Sequence, residues 1–336
     1  MGNLPNRPTH RTIAREANVS NVTVSLALRN HPSIPESTRA RIREIAETQG
    51  YRPDPKLNEL MHHLRTHRNQ KFSSNLAALR LRPERETHYN SRVLAGVAEQ
   101  ARRYGYSLEV IDLDKPSLPP RRLRKILYSR GIEGVVLLPM EPVDLSDLVD
   151  WSAYSVVATS HSILKPRFHS VVPNQFSNML RLCERLAAVG EKRIGIVMTV
   201  VQELKVNHRF TGAYLWNTMM KGWPLIPPLI VDSGELKREV LMKWIEKHDP
   251  RVVITFQKVM EAVNTQLPAS VRNRILWART GVDPGAKDQW GILENAEEIG
   301  RAAMDVLVGM IHRGYRGIPE TPRCTEIEGT VRLNRQ

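Results

Sequence analysis

Thr9-His10-Arg11-Thr12-Ile13-Ala14-Arg15-Glu16-Ala17-Asn18-Val19-Ser20-Asn21-Val22-Thr23-Val24-Ser25-Leu26-Ala27-Leu28-Arg29 is the stretch from which the fold can be worked out. Thr9 can start a helix, because its hydroxyl accepts one of the backbone N–H groups a helix leaves unpaired at its beginning. Ile13, Ala14 and Ala17 then fall on one helical face. Asn18 stands where the chain must turn sharply, and asparagine tolerates the left-handed backbone that such a turn demands. Ser20 caps a second helix in which Val24, Ala27 and Leu28 face inward. The outward face carries Asn21, Val22, Thr23 and Ser25, short side chains that suit the DNA major groove. A third helix from Glu36 to Gln49, with Ile42, Ile45 and Ala46 inward and Gly50 behind it, completes a three-helix unit.

After this unit, Arg52-Pro53-Asp54-Pro55 stops the helix and opens a linker. Residues 56–65 space their apolar side chains helically and run into basic flanks at Arg65, His67, Arg68 and Lys71. So short a helix is marginal alone and is expected to form on DNA or against a partner chain. From Asn75 onward strand-like and helical stretches alternate. The strand-like runs are 75–81, 107–113, 133–138, 155–159, 193–199, 229–231, 251–255 and 274–277. Between them lie amphipathic helices ending at Gly105, Gly131, Gly190, Gly222 and Gly314. Repeated strand–helix–strand units imply parallel sheets covered on both faces, and this length favours two sheets over one. The expected organisation is a helix-turn-helix domain over 1–52, a hinge over 53–71 and a two-lobed α/β core over 72–336.

Composition narrows the function. The chain of 336 residues is 41% hydrophobic and 25% charged, as an ordinary globular protein is, and carries a formal net charge of +14. Residues 1–72 hold 12 Lys and Arg against 6 Asp and Glu, so the N-terminal fifth is the more basic part and an anionic partner is expected. The two cysteines, Cys183 and Cys324, fit no metal or redox spacing and read as reduced structural residues. No apolar run is long enough to cross a bilayer, and Met1 to Asn6 lacks the apolar core of a signal peptide, which points to a cytoplasmic protein. Histidines, carboxylates and hydroxyls are scattered without a nucleophile elbow, phosphate loop or metal-ligand spacing. An enzyme is therefore not expected, nor is a cofactor.

With these residues in place, the chain resembles the LacI/GalR family of bacterial transcriptional regulators over essentially its whole length. The resemblance rests on Ile13-Ala14-Arg15-Glu16-Ala17, Val19-Ser20, Thr23-Val24-Ser25, Thr38-Arg39, Gly50-Tyr51-Arg52-Pro53, Arg209-Phe210-Thr211-Gly212-Ala213 and Glu298-Ile299-Gly300-Arg301-Ala302-Ala303. The run from Gly317-Ile318-Pro319 to Ile327-Glu328-Gly329 fits the family's last connection and strand. The resemblance implies a core of two doubly wound, parallel-sheet subdomains like those of periplasmic binding proteins. It also implies a homodimer whose headpieces read a pseudo-palindromic operator, and a small, sugar-like effector bound between the subdomains.

The family pattern carries over residue by residue. It puts Ser20, Asn21, Val22, Thr23, Ser25 and Leu26 on the DNA-facing side, and makes Thr9, Arg29, Asn30 and His31 candidates for phosphate contacts. Leu60 falls where the family wedges a leucine between base pairs. Leu26 replaces an arginine common in the family, so base reading shifts toward Asn21, Val22 and Thr23, with Leu26 against a thymine methyl. The hinge reads Asn58-Glu59-Leu60-Met61 in place of the usual Ala-Arg-Ser-Leu. In the core, Arg209 matches the family's ligand-binding arginine, and Tyr89 and His161 are candidates for the walls of the same cleft. Gln257 follows Phe256 where relatives have Asn-Asp. Ala278-Arg279-Thr280 occupies the place of a cleft aspartate, leaving Asp283 as the nearest carboxylate, and Trp290 and Asn295 are expected from the loop before the last helix. Two alternatives stay open: an effector-independent DNA binder with a degenerate core, and a solute-binding transport protein.

Overall fold

The computed structural model describes residues 9–28, 30–51, 75–81, 88–113, 118–232, 236–286 and 288–333. The expected hinge, Leu60 and Arg29 lie outside the described residues. In the headpiece, helices α1 (His10–Glu16), α2 (Asn21–Leu28) and α3 (Glu36–Thr48) enclose Ile13, Ala14, Ala17, Val24, Ala27, Ile42 and Ala46, all buried. Thr9 and Thr12 cap α1 reciprocally: the Thr12 amide donates to Thr9 Oγ1 at 3.3 Å and the Thr9 amide to Thr12 Oγ1 at 2.9 Å. Asn18 takes the left-handed conformation the turn requires, with φ 52°. Arg41 Nη2 donates to the Ala17 carbonyl at 2.9 Å and Thr12 Oγ1 to Gln49 Oε1 at 3.0 Å, fastening α3 to both ends of α1.

Lobe 1 begins with β1 (Asn75–Arg80), α4 (His88–Arg103), β2 (Ser107–Asp112), α5 (Pro120–Ser129), β3 (Ile132–Leu137) and the short β4 (Val143–Asp144). It continues through β5 (Ser155–Ala158), β6 (Ile163–Lys165) and β7 (His169–Pro173). The chain then crosses to lobe 2: α6 (Gln175–Ala188), β8 (Ile194–Thr199), α7 (Val200–Lys205), α8 (Arg209–Met220), β9 (Leu229–Val231), α9 (Arg238–His248) and β10 (Val252–Thr255). Lobe 2 goes on with α10 (Gln257–Gln266), α11 (Ala269–Arg272), β11 (Leu276–Arg279) and β12 (Trp290–Leu293). The long α12 (Ala296–Arg313) and β13 (Cys324–Ile327) return to lobe 1, and β14 (Thr330–Arg332) ends in lobe 2.

The two sheets have orders β13-β7-β5-β3-β1-β2 and β14-β12-β11-β10-β8-β9. Every pairing in the first is parallel; in the second only β14 runs against its neighbour. Each sheet is apolar on both faces, which is why its central strands read as continuous runs of Val, Ile, Leu and Ala. On lobe 1, α4 and α12 cover one face through Val93, Val97, Ala303 and Leu307, and α5 covers the other through Leu123 and Leu127.

Three strand assignments need correction. β11 starts two residues later than the sequence suggests, because Arg274 and Ile275 lead into the strand and its pairing with β10 begins at Leu276. β7, absent from the sequence-based strands, opens on polar His169 and Ser170 and closes on Pro173, so its apolar run is only Val171-Val172. β12 lies where a loop was expected; Gly291, at φ 147°, interrupts its apolar pattern and presses against the Arg279 backbone.

Candidate DNA-reading face and interlobe cleft

The turn between α1 and α2 sets how the second helix is presented. The Ser20 hydroxyl accepts the Thr23 amide at 3.0 Å and lies 2.8 Å from Thr23 Oγ1, so Ser20 and Thr23 cap α2 together. Thr9 does the same for α1. The hydroxyls of Thr9 and Ser20 thus fix helix starts, and the outward groups at the start of α2 begin with exposed Asn21. Thr23, Ser25 and Leu26 are half-buried along the same helix, and the backbone of Val22 lies between Asn21 and Thr23. No acidic or basic residue occurs in α2, so its face is neutral and hydrogen-bonding.

Beyond α2 the backbone turns left-handed at Asn30, φ 57°. The Asn30 carbonyl accepts Arg39 Nη1 at 3.0 Å, and its side-chain oxygen accepts Arg43. His31 Nδ1 lies 2.7 Å from Ser33 Oγ. These bonds hold the segment after α2 against α3.

The second site is the crevice between lobes, where parallel sheets present the carboxyl ends of their strands. Two ion pairs and one histidine–carboxylate approach span it. Lys205 Nζ meets Glu141 Oε1 at 2.8 Å, Arg209 pairs with Glu326, and His88 Nε2 faces Asp283 Oδ1 at 3.6 Å. Arg209 is the first residue of α8 and is aimed by two left-handed residues before it, Asn207 and His208.

His161, beyond the end of β5, has a buried Nε2 with no hydrogen-bond partner. Burial, then Arg209 and Arg167, push its pKa down to about 4, so it is uncharged at neutral pH. Tyr89, in the first turn of α4, has a buried hydroxyl without a partner, and burial followed by the nearby Glu294 carboxylate raises its pKa. Burial pushes Glu294 itself up to about 8, against the pull of Arg92. Arg92 is already paired with Glu297, its Nε donating to Oε1 at 2.7 Å. Near neutral pH this part of the crevice therefore offers neutral donors and acceptors: an imidazole, a phenol and a carboxylic acid.

The remaining candidates separate. Gln257 accepts Arg279 Nη1 at 2.7 Å and donates to Glu261 at 3.2 Å, standing at the lobe 2 wall. Asp283 accepts the Gly285 amide at 3.0 Å while facing His88. Trp290, on β12, is half-buried and packs one side of its ring against the lobe 2 core that includes Ile292 and Tyr214. Asn295 donates to the Glu328 carbonyl at 2.7 Å and ties two interlobe crossovers together. Asn174, on the third crossover, donates to Glu328 Oε1 at 2.8 Å. Sequence reasoning missed Glu326, Glu294, Arg167 and Arg279. Glu326 meets Arg209 across 117 residues of chain, a separation that leaves no local signal.

With the geometry in view, the comparisons can be set against it. Residues 10–54 match the family model for bacterial regulatory proteins of the lacI family. The HTH-type transcriptional repressor CytR of Escherichia coli (strain K12) is 26% identical over 240 residues, spanning 71% of this chain and 67% of that protein. The transcriptional regulator CelR in complex with cellobiose has a similar fold, with TM-score 0.56 at 15% identity, over 97% of this chain and 99% of that one. The Lac repressor dimer bound to operator and the anti-inducer ONPF has TM-score 0.55 at 12% identity, over 97% and 98%. The matched segment contains the capped α1–α2 pair, so residues 10–54 form a helix-turn-helix headpiece of the lacI type, and the fold likeness to these solved regulators runs on through both lobes.

Proposed function

We propose that this chain is a sequence-specific transcriptional repressor that binds a pseudo-palindromic operator as a homodimer and is controlled by a small polar effector in the interlobe crevice. The observation that carries the reading is α2: a capped helix, packed from behind by Val24 and Ala27, with an uncharged hydrogen-bonding face toward solvent. In this reading Asn21, Val22, Thr23, Ser25 and Leu26 meet base edges. Arg29, Asn30 and His31, with Thr9 and Ser20 at the helix starts, face phosphates. Leu60 inserts between base pairs from the hinge over 53–71, which joins the 1–52 headpiece to the 72–336 core.

The effector reading is supported by cross-lobe chemistry. Arg209, Tyr89 and His161, with Gln257 and Asp283 at the lobe 2 side, supply donors and acceptors for a hydroxyl-rich ligand. Relatives with the same fold hold cellobiose or ONPF. A ligand that binds one lobe arrangement better than another changes operator affinity, typically by ~1–3 kcal/mol of coupling. A protein with this role works in the cytoplasm.

The test is operator selection from random duplex DNA, run with and without a panel of neutral mono- and disaccharides. The expected result is one enriched pseudo-palindrome whose recovery changes with at least one saccharide. Enrichment of no duplex over scrambled competitor would remove the repressor reading. Enrichment that no ligand alters, together with no calorimetric binding, would leave an effector-independent DNA binder.

A further inference from the structure

In an all-parallel sheet every strand starts at the same end, and the connecting helices finish there. In lobe 1 that end gathers the starts of β1, β2, β3, β5, β7 and β13 and the last turns of α4, α5 and α12. It is also where the chain arrives from the headpiece. Asn75, the first residue of β1, donates to the Arg130 carbonyl behind α5 at 2.6 Å and accepts Ser107 Oγ at 3.0 Å.

This end is strongly basic. Residues 119–130 contain five Lys and Arg and no acid, but they run along α5 toward this end: Arg124 and Lys125 lie midway along the helix, and Arg130, paired with Glu109, stands at its finish. Arg102, Arg124, Lys125, Arg313 and Arg323 are exposed, Arg316 is half-buried, and none of the six has a carboxylate partner among the described residues. Arg313 and Arg323 lie close enough to the same imidazole, His169, for both to disfavour its protonation. Of the acids nearby, Glu109 pairs with Arg130, while Asp150 accepts the Ser152 amide and hydroxyl and keeps its charge. Among the described residues Glu133, Glu320, Asp150 and Asp305, which accepts the Tyr104 hydroxyl at 2.7 Å, stand against the cluster without an ion pair.

Cations at helix C-termini are favourable for each helix, which explains one such residue per helix. It does not explain why Arg102 and Arg313, in the last turns of α4 and α12, and Arg323, at the start of β13, all stand at one end without a carboxylate partner among the described residues. At the corresponding end of lobe 2, Arg193 and Arg274 share Asp249 at 4.0 and 3.9 Å, while Lys192 and Arg251 have no carboxylate partner among the described residues and so serve as a charge-matched control. Uncompensated like charge on one face is self-repulsive and is relieved when a polyanion lies on it.

We propose that the strand-start end of lobe 1 is a second DNA-contacting surface, a sequence-independent phosphate platform beside the base-reading headpiece. This rests on the DNA-binding reading above and adds to it a role for the core. Duplex DNA is the occupant, because the platform lies where the DNA reader is tethered. Its arginines supply phosphate contacts without base discrimination.

The experiment uses the full-length protein and its selected operator. The triple variant Arg102→Gln/Arg313→Gln/Arg323→Gln is compared with wild type and with a lobe 2 control, Lys192→Gln/Lys243→Gln/Arg251→Gln. Dissociation constants for operator and scrambled duplex are measured across salt concentrations. The platform variant should bind both duplexes at least ~10-fold more weakly at low salt, with the slope of log K against log salt shallower by about 2–3. The ratio of operator to scrambled affinity should stay unchanged, and the control should match wild type.

Wild-type affinity and slope in the platform variant, with operator selection intact, would overturn the platform and leave the repressor reading standing. Equal loss in the lobe 2 control, or loss confined to the operator, would overturn it too. Failure of wild type to select any duplex is a different result and removes the underlying reading. Should the triple variant melt early, Arg124→Gln/Lys125→Gln on the outer face of α5 repeats the test, with the same direction expected and a smaller slope change.

Discussion

Lobe 1 and lobe 2 share an architecture but close their helices by different means. In lobe 1, α4 and α12 touch backbone to backbone. A Cβ placed on Gly96 would overlap the Glu297 carbonyl, and one on Gly300 would overlap the Val93 carbonyl. In lobe 2 the glycine that faces a covering helix is Gly195 on β8, pressed by the edge of the Trp244 ring, while the backbone contact of Gly291 is made within the sheet, against Arg279. A backbone contact cannot give way without moving a whole helix, whereas a side chain can rotate or shift. Lobe 1, which receives the chain from the headpiece, is therefore the stiffer body around its helix pair.

The largest effect should come from this difference. Gly300→Val or Gly96→Val should destabilise lobe 1 by more than ~3 kcal/mol, beyond ordinary overpacking, because two helices must separate. Gly195→Ala should cost only about 1–2 kcal/mol through a displaced indole. Thermal melts and hydrogen exchange resolved by lobe would check both. Equal penalties would mean that Trp244 is held as rigidly as a backbone.

That contrast also marks what could be read in the sequence. The headpiece was legible almost residue by residue, because caps, turn asparagine and core positions are local signals: Thr9, Asn18, Ser20, Ile13 and Val24 all do what spacing predicts. Two parallel α/β sheets were legible from buried apolar strands alternating with helices that end at glycine. Gly96 against Glu297 was not, since it joins positions about 200 residues apart. The cleft suffered for the same reason. Arg209 and Tyr89 could be proposed, but the partners that set their chemistry, Glu326 and Glu294, come from distant chain. Trp290 shows the limit of such reading, because an aromatic near a cleft fits ligand stacking and core packing alike, and its half-buried ring packs against the lobe 2 core.

Titration separates the lobes by sign. Lobe 2 buries Glu203, whose side-chain oxygens have no hydrogen-bond partner and whose pKa burial raises. Its folded pKa lies above the unfolded value, so stability from this group is complete below that value and is lost as pH rises through the folded pKa. Lobe 1 buries neutral His161, with a folded pKa pushed down to about 4. The unfolded chain then binds the extra proton, so stability is complete above the ordinary imidazole value of 6.5 and is lost as pH falls from there to about 4. Glu203→Gln should raise the melting temperature at neutral pH and have little effect in acid. His161→Gln should flatten the acid side of the profile. Both variants sloping the same way would undo the lobe-by-lobe assignment.

A smaller effect is expected in the packing of lobe 2, where Tyr214 is fully buried and its hydroxyl lies 2.9 Å from the Ile194 carbonyl and 2.6 Å from that of Ile226. Tyr214→Phe leaves one of these oxygens short of a donor and should cost about 1–2 kcal/mol, read in lobe 2 exchange rates and not in lobe 1.

The smallest effect on stability should come from the contact that joins the lobes. Lys205 and Glu141 meet at 2.8 Å with side chains 27% and 37% exposed, so water screens the pair. Glu141→Gln should therefore change the melting temperature very little, consistent with no more than about 1 kcal/mol. A shift of that size can nevertheless matter for closure. Two lobe arrangements that differ by a few kcal/mol are repopulated several-fold when one of them loses ~1 kcal/mol. Interlobe distance measured by paired spin labels should broaden or lengthen in the variant while each lobe melts as before. An unchanged distance distribution would show that the Arg209–Glu326 pair and the three crossovers hold the lobes without Lys205, and that stiffness in this chain belongs to its connections more than to its cleft.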